Sequence, residues 1–114
     1  MLTIYHNPRC SKSRASLALL EEKGLKPTIV KYLETPPDKQ ELTAVLDKLG
    51  LPAEQIVRKG EALFKELGLK DRTLSNDEWI DILVEHPKLI ERPIVVHGDR
   101  AAIGRPIERV AEIL

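Results

Sequence analysis

The chain opens with a strand, a polar loop, a helix and a second strand, which residues 2–32 spell as LTIYHNPRCSKSRASLALLEEKGLKPTIVKY. Leu2 to Tyr5 has the composition of a short strand, and Thr28 to Tyr32 is again rich in strand-forming residues. Between them the pattern is helical from Ser11 until Gly24. A strand, a helix and a strand within about 30 residues predict a βαβ unit with parallel strands. The predicted inner face of this helix consists of Ala15, Leu17, Ala18 and Leu20.

Helical patterns continue after this unit, over residues of about 36–87. Thr35 is the predicted N-cap of the next helix, because Pro36 then takes the favoured first helical position. Ser75 opens a later helix, and Glu78 three residues on completes a capping box. The predicted inner positions of that later helix are Trp79, Ile82, Leu83 and His86.

The strand pattern returns near the end of the chain. Pro93 to His97 is β-rich, Gly98 begins a turn, Ala101 to Ile103 is the predicted return strand, and Pro106 begins a final helix. The predicted order is therefore βαβ, a helical insertion, then ββα. Without the insertion this is the thioredoxin arrangement. The sequence thus predicts an α/β, thioredoxin-like fold in a single domain over residues 1–114.

Composition narrows the classes of function. The 18 Lys and Arg residues balance 18 Asp and Glu residues, and a net charge of zero argues against a binder of nucleic acid or of anionic membranes. No apolar run approaches the roughly 20 residues of a membrane span, and no secretory leader is evident. A single cysteine allows no internal disulfide and no Cys-rich metal site. It favours a reducing, cytoplasmic setting.

Cys10 stands between the predicted first strand and first helix. Helix N-termini carry unpaired N–H groups and a partial positive charge, which favour a thiolate and bind oxyanions. His6, Arg9, Lys12 and Arg14 lie close in sequence and add positive potential. Position alone leaves two interpretations open, a reactive thiolate and a buried, inert cysteine.

Several motifs, in chain order, resemble the glutaredoxin-coupled arsenate reductase family. The signature loop of that family reads H-N-P-x-C-x-x-S, and residues 6–13 fit it. The resemblance continues through Tyr32-Leu33-Glu34-Thr35-Pro36-Pro37, Arg58-Lys59, Glu91-Arg92-Pro93-Ile94-Val95-Val96 and Gly104-Arg105-Pro106. It therefore spans essentially the whole chain.

This resemblance implies a reaction and a set of residues. Cys10 would be the nucleophile that attacks arsenate, and an imidazolium at His6 would lower the pKa of its thiol. Arg58, Arg92 and Arg105 would hold the oxyanion, since guanidinium groups keep their charge and bind oxyanions in a fork. They would stabilise the charge that accumulates as the As–S bond forms.

Ser13 stands where a C-x-x-C redox pair has its second cysteine. With no resolving thiol on the chain, oxidised Cys10 needs an external thiol for its release. The resemblance implies that glutathione is the reducing co-substrate and glutaredoxin the protein partner, with no bound cofactor and no metal. It also implies that Pro93 is the cis-proline beside a thioredoxin-fold active site.

Three alternatives accompany this hypothesis. The better-known arsenate reductases of the family continue past the last helix, whereas this sequence ends at Leu114, so a related thiol oxidoreductase with another oxidised substrate is one alternative. A second is a redox-responsive transcriptional regulator that binds RNA polymerase. Such regulators usually carry C-x-x-C as their switch, and Ser13 argues against that role. A glutathione-binding protein without turnover is the third.

Overall fold

A four-stranded mixed sheet lies within the computed structural model, which describes residues 2–114. Its strands are β1 (Leu2–Tyr5), β2 (Thr28–Val30), β3 (Ile94–His97) and β4 (Arg100–Ile103), in the spatial order β2-β1-β3-β4. β1 and β2 run parallel, which confirms the predicted βαβ unit. β3 is antiparallel to both β1 and β4. This is a thioredoxin-like sheet, with β1 and β3 at its centre.

Five α-helices accompany the sheet over the described residues. They are α1 (Ser11–Glu22), α2 (Lys39–Leu49), α3 (Ala62–Glu66), α4 (Asn76–Glu85) and α5 (Glu108–Ala111). Short 3-10 helices cover Ala53–Ile56, Leu69–Asp71 and Pro87–Leu89. None of the helices in residues 2–114 is long and apolar enough to cross a membrane.

The described residues divide into two compact units. One unit combines residues up to 36 with residues 92–114 and so contains the sheet, α1 and α5. The other covers Pro37–Glu91 and contains α2, α3 and α4. The predicted helical insertion at about 36–87 falls between β2 and β3. The organisation of residues 1–114 as one domain stays a prediction.

The core of the sheet unit is aliphatic. It is formed by Leu2, Ile4, Leu20, Val95 and Val110, with Leu17, Leu19, Leu25, Ile113 and Leu114 packed at its edge. Burying such side chains stabilises a fold by roughly 1.5–3 kcal/mol each. A small aliphatic core therefore holds the sheet against α1 and α5, the two helices of the same unit.

The predicted inner face of α1 is only partly right. Ala15 and Ala18 are exposed, whereas Ser13, Ser16 and Leu20 are buried. Residues 13, 16 and 20 follow the helical spacing i, i+3, i+7, so they share one face. The expectation failed because it admitted only apolar residues to that face.

In the helical unit one predicted cap is correct and one is wrong. Ser75 and Glu78 form the capping box at the start of α4 as expected. α2 is capped by Asp38 rather than Thr35, because the Asp38 carboxylate accepts from the Glu41 N–H at 2.8 Å. Thr35 instead closes a turn, with its N–H donating to the Lys31 carbonyl at 2.9 Å.

The inner face of α4 departs from the expectation at two positions, Ile82 and His86, and His86 is half-buried beyond the end of the helix at Glu85. Trp79 and Leu83 are buried as predicted, but Ile80 is buried in place of Ile82, which is half-buried. The Trp79 ring stacks on Phe64 of α3 with 6.4 Å between the ring centroids. This aromatic pair fixes α3 against α4 within the helical unit.

Candidate active site

The register of the sheet brings three chain segments together at one end of the strands. Tyr5 at the end of β1 pairs with Ile94 at the start of β3, and Ile94 pairs with Ile103 at the end of β4. The loop after Tyr5 therefore meets Arg92, two residues before Ile94, and Arg105, two residues after Ile103. Residues far apart in sequence converge because of the antiparallel pairing, and this end of the strands carries the candidate site.

Backbone hydrogen bonds hold the loop at 6–10 in place. The His6 N–H donates to the Val30 carbonyl of β2 at 2.8 Å, and the Cys10 N–H donates to the Asn7 carbonyl at 3.0 Å. The Asn7 side-chain oxygen accepts from the Arg9 N–H at 3.0 Å, which is an Asx turn. The loop thus presents Cys10 as the N-cap of α1 in a fixed conformation.

Ser13 links this loop to α1. Its Oγ accepts from the Asn7 N–H at 3.0 Å and lies 2.8 Å from His6 Nδ1. In the neutral imidazole that carries its proton on Nε2, the Ser13 hydroxyl donates to Nδ1, and in the other tautomer Nδ1–H donates to Ser13 Oγ. In the sequence, Ser13 stands where a C-x-x-C pair has its second cysteine, and nothing further is predicted for its side chain. The structure makes it the hydrogen-bonding centre of the loop.

His6 does not fit the expected imidazolium. Burial, followed by the positive charges of Lys31 and Arg14, lowers its pKa below the ordinary value of 6.5. The neutral ring is therefore favoured near pH 7, which argues against an imidazolium as the group that lowers the pKa of Cys10. Of the cationic residues that the sequence places near Cys10, Arg14 acts on His6. His6 contributes its hydrogen bond to Ser13 instead.

The Cys10 thiol is buried, with 8% of the residue exposed, and it faces a cation. Arg105 donates from Nη2 to the Cys10 Sγ across 3.3 Å. Burial, the largest single influence, raises the pKa of Cys10, but hydrogen bonds from the Ser13 N–H, the Arg92 side chain and the Lys12 N–H outweigh it. The Arg92 charge also lowers this pKa. The net result is a thiol pKa below its ordinary value. A lowered pKa favours the reactive thiolate over the buried, inert cysteine.

Arg92 and Arg105, the two predicted oxyanion-binding arginines of the sheet unit, are connected to each other. Arg105 donates from Nε to the main-chain carbonyl of Arg92 at 2.6 Å, while its Nη2 contacts Cys10. The Arg92–Pro93 peptide bond is cis, as the resemblance implied, and the Arg105–Pro106 bond is cis as well. The structure thus brings Cys10, Arg92 and Arg105 together.

Arg58 belongs to the helical unit. Its guanidinium pairs with Glu61 at 2.9 Å and with Glu91 at 3.7 Å. Its N–H donates to the Leu89 carbonyl at 2.7 Å, beside the isolated β-bridge between Val57 and Ile90. The two carboxylates hold the side chain in a defined orientation within this unit. Its role toward an oxyanion stays a prediction.

The arrangement defines a class of protein. Within residues 2–114 no group of three or more His, Cys, Asp and Glu side chains is arranged to hold a metal ion. The sheet unit offers a thiol of lowered pKa at a helix N-terminus, with two guanidinium groups beside it. A thiolate is a nucleophile, and guanidinium groups bind oxyanions. This is a thioredoxin-fold protein whose cysteine is set up to react with an anionic or oxidised partner.

Comparison with known proteins identifies the family within that class. The ArsC family model matches residues 5–113. A protein of Neisseria meningitidis serogroup A named "Arsenate reductase" is 50% identical over 114 residues, covering 99% of this chain and 97% of that protein. The solved structure "Arsenate reductase from Vibrio cholerae" superposes with a TM-score of 0.94 at 53% identity, covering 99% and 97% of the two chains. The chain belongs to the ArsC family.

Proposed function

We propose that the protein is an arsenate reductase that converts arsenate to arsenite with glutathione, using Cys10 as the nucleophile. The observation that carries the proposal is the 3.3 Å contact between Arg105 Nη2 and Cys10 Sγ. A thiolate beside a guanidinium group is a site at which a multiply charged oxyanion approaches sulfur without prohibitive repulsion. Relatives named arsenate reductase at 50% identity support arsenate as that oxyanion.

The first step is attack on arsenic. The Cys10 thiolate forms an S–As bond to arsenate and displaces one oxygen, which leaves as water after protonation. Arg92 and Arg105 stabilise the added negative charge, since their planar donors match two oxygens of a tetrahedral anion. Arg58 is proposed as the third arginine of this clamp on the strength of its R-K motif.

The second step transfers two electrons from sulfur to arsenic. Glutathione attacks the Cys10 sulfur, the S–As pair of electrons stays on arsenic, and arsenite leaves. The product on the protein is a Cys10–glutathione disulfide, which a second thiol, from glutathione or glutaredoxin, reduces. In sum, arsenate and two thiols give arsenite, one disulfide and water.

The surroundings of Cys10 favour an anionic thiol as reductant. Pro8, Arg9, Ser11 and Lys12 are exposed around the cysteine. The side-chain charges of Arg9 and Lys12 attract the carboxylates of glutathione. Because glutathione is abundant in reducing compartments, we place the protein in the cytoplasm, where it would serve arsenic detoxification.

A coupled assay tests the proposal. Purified protein, arsenate, glutathione, glutaredoxin and a glutathione-reductase system should consume NADPH, and Cys10→Ser should abolish this signal while the circular dichroism spectrum stays unchanged. Phosphate in place of arsenate is the matched substrate control. Turnover by the Ser variant, or no arsenate-dependent consumption by the parent, would contradict the proposal. The latter result would favour another oxidised substrate for the same thiol.

A further inference from the structure

Gly104 occupies a crowded position next to the candidate site. It lies between β4 and Arg105, is buried, and donates its N–H to the Pro93 carbonyl at 2.9 Å. A Cβ atom built on Gly104 would overlap Ser16 Oγ and lie 2.8 Å from Pro93 Cγ and 3.3 Å from Pro93 Cδ. Real Cβ atoms essentially never approach another heavy atom that closely. A side chain at position 104 therefore fits only if its neighbours or its own backbone shift.

The neighbours of Gly104 have little freedom to yield. Ser16 is fully buried on α1, and its Oγ has no hydrogen-bond partner among the described residues. Pro93 is fully buried too, and its ring changes only by pucker. A close-packed interior transmits such a displacement to adjacent groups rather than absorbing it. The segment at 104–105 would have to move.

Movement of this segment reaches the reactive sulfur directly. Arg105 follows Gly104, and both ends of its guanidinium are tied, Nε to the Arg92 carbonyl at 2.6 Å and Nη2 to Cys10 Sγ at 3.3 Å. Ser16 lies one turn along α1 from Ser13, which holds the Cys10 loop. The contact at Gly104 therefore fixes the distance between the helix that carries Cys10 and the strand end that carries Arg105.

We propose that Gly104 is a positioning residue, whose missing side chain lets α1 and Pro93 approach closely enough for Arg105 to reach Cys10. The inference rests on the proposed function only in taking arsenate as the anion that this pair receives. Displacing a positioned group by about 1 Å can cost on the order of a hundredfold in rate.

Gly104→Ala tests the inference. Since Cys10 is the only cysteine of the chain, iodoacetamide reports its state without interference. The variant should shift the alkylation midpoint to higher pH and reduce protection by sulfate roughly tenfold. Adding Ser16→Ala removes one of the two overlaps and should bring both readouts back toward the parent. A double variant no closer to the parent than the single variant would overturn the part assigned to Ser16.

Gly60→Ala is the matched control. Nothing lies within 4 Å of a Cβ at Gly60, so this change should leave alkylation and sulfate protection at the parent values. Neither readout depends on arsenate turnover. If the parent failed to reduce arsenate, the proposed function would fail while the role of Gly104 would still be decided by the thiol.

A folded Gly104→Ala variant with the alkylation midpoint and sulfate protection of the parent would overturn the inference. If that variant does not fold, Ser16→Val decides, because it presses a wider methyl group on the same contact and keeps Gly104. The expected result is again a higher midpoint and weaker protection. Parent-like values in folded Ser16→Val would overturn the inference equally.

Discussion

Arg105 is the side chain that contacts both the reactive sulfur and the main chain of Arg92. Arg105→Lys keeps the charge but loses the planar fork, so a lysine cannot donate to the Arg92 carbonyl and to Cys10 Sγ together. A hydrogen bond to a charged group contributes roughly 1.5–3 kcal/mol, which predicts about a tenfold to hundredfold loss in kcat/KM for arsenate. Steady-state kinetics in the coupled assay measures it.

The matched control is Arg109→Lys, which changes an exposed arginine of α5 in the same unit. It should retain parental kinetics. Equal kcat/KM for Arg105→Lys and the parent would show that the fork is not needed, and the clamp would lose its best-placed member. Arg92→Lys should behave like Arg105→Lys, because Arg92 also donates to the Cys10 sulfur.

The Cys10 thiol should ionise below the roughly 8.5 of a free cysteine. Its hydrogen bonds and the Arg92 charge outweigh burial, which acts in the opposite direction. Iodoacetamide alkylation followed across pH should therefore give a midpoint below that of free glutathione in the same buffer. A midpoint at or above the glutathione value would mean that burial dominates and that Cys10 is an inert cysteine.

Single residues show where reading the sequence succeeds and where it stops. Short motifs mark Cys10, Arg92 and Arg105, and the structure brings these three residues together. The predicted positive charge of His6 conflicts with its lowered pKa, which depends on burial and on the charges of Lys31 and Arg14, and burial is not visible in a local pattern. The contact between Ser16 and Gly104 was not predicted, because crowding is a property of packed elements.

Helix caps in the helical unit are local features with a testable energy. Ser75 and Glu78 satisfy two N–H groups at the start of α4. Ser75→Ala should lower the free energy of unfolding by about 1 kcal/mol, as loss of such a cap usually does. Urea denaturation measures it, with Thr73→Ala, an exposed change in the preceding loop, as control. Equal loss in both variants would remove the capping box as the cause.

The start of a helix was predictable where the sequence offers a single suitable N-cap residue. The capping box at Ser75 was predictable because serine, followed three residues later by glutamate and then by an apolar run, is a sequence signature of a helix N-terminus. The predicted N-cap of α2 is wrong because Thr35 and Asp38 are both suitable N-cap residues. The Thr35 N–H closes a turn to the Lys31 carbonyl, and Asp38 caps the helix. The competing use of Thr35 is visible only once the chain has turned.

At the scale of the whole molecule, local rules predict the pairing of β1 with β2, whereas the candidate site depends on the register between β3 and β4. The parallel pairing of β1 with β2 was predictable, because a short βαβ connection permits little else. The meeting of Arg92 with Arg105 needs the pairing of Ile94 with Ile103, a non-local fact. Sequence motifs anticipated that meeting through resemblance, and the hairpin of β3 and β4 explains it physically.

The stability of the chain should respond to acid through His6. Its folded pKa lies below the ordinary 6.5, with burial as the main cause and the Lys31 and Arg14 charges adding to it. Between those two pKa values the unfolded chain binds more protons than the folded one. The stability contributed by neutral His6 is therefore complete above about pH 6.5 and is lost as the pH falls toward the folded pKa.

Urea denaturation at a series of pH values from about 7.5 to 5 measures this loss, and two variants assign it. His6→Gln removes the titrating ring, so the fall in unfolding free energy between pH 7 and 5.5 should be smaller than in the parent. Lys31→Gln removes one of the charges that lower the His6 pKa, so its pH dependence should lie between the two. A parent and a His6→Gln variant with the same slope across this window would mean that other groups govern the acid response. The neutral ring bonded to Ser13 would then lack thermodynamic support.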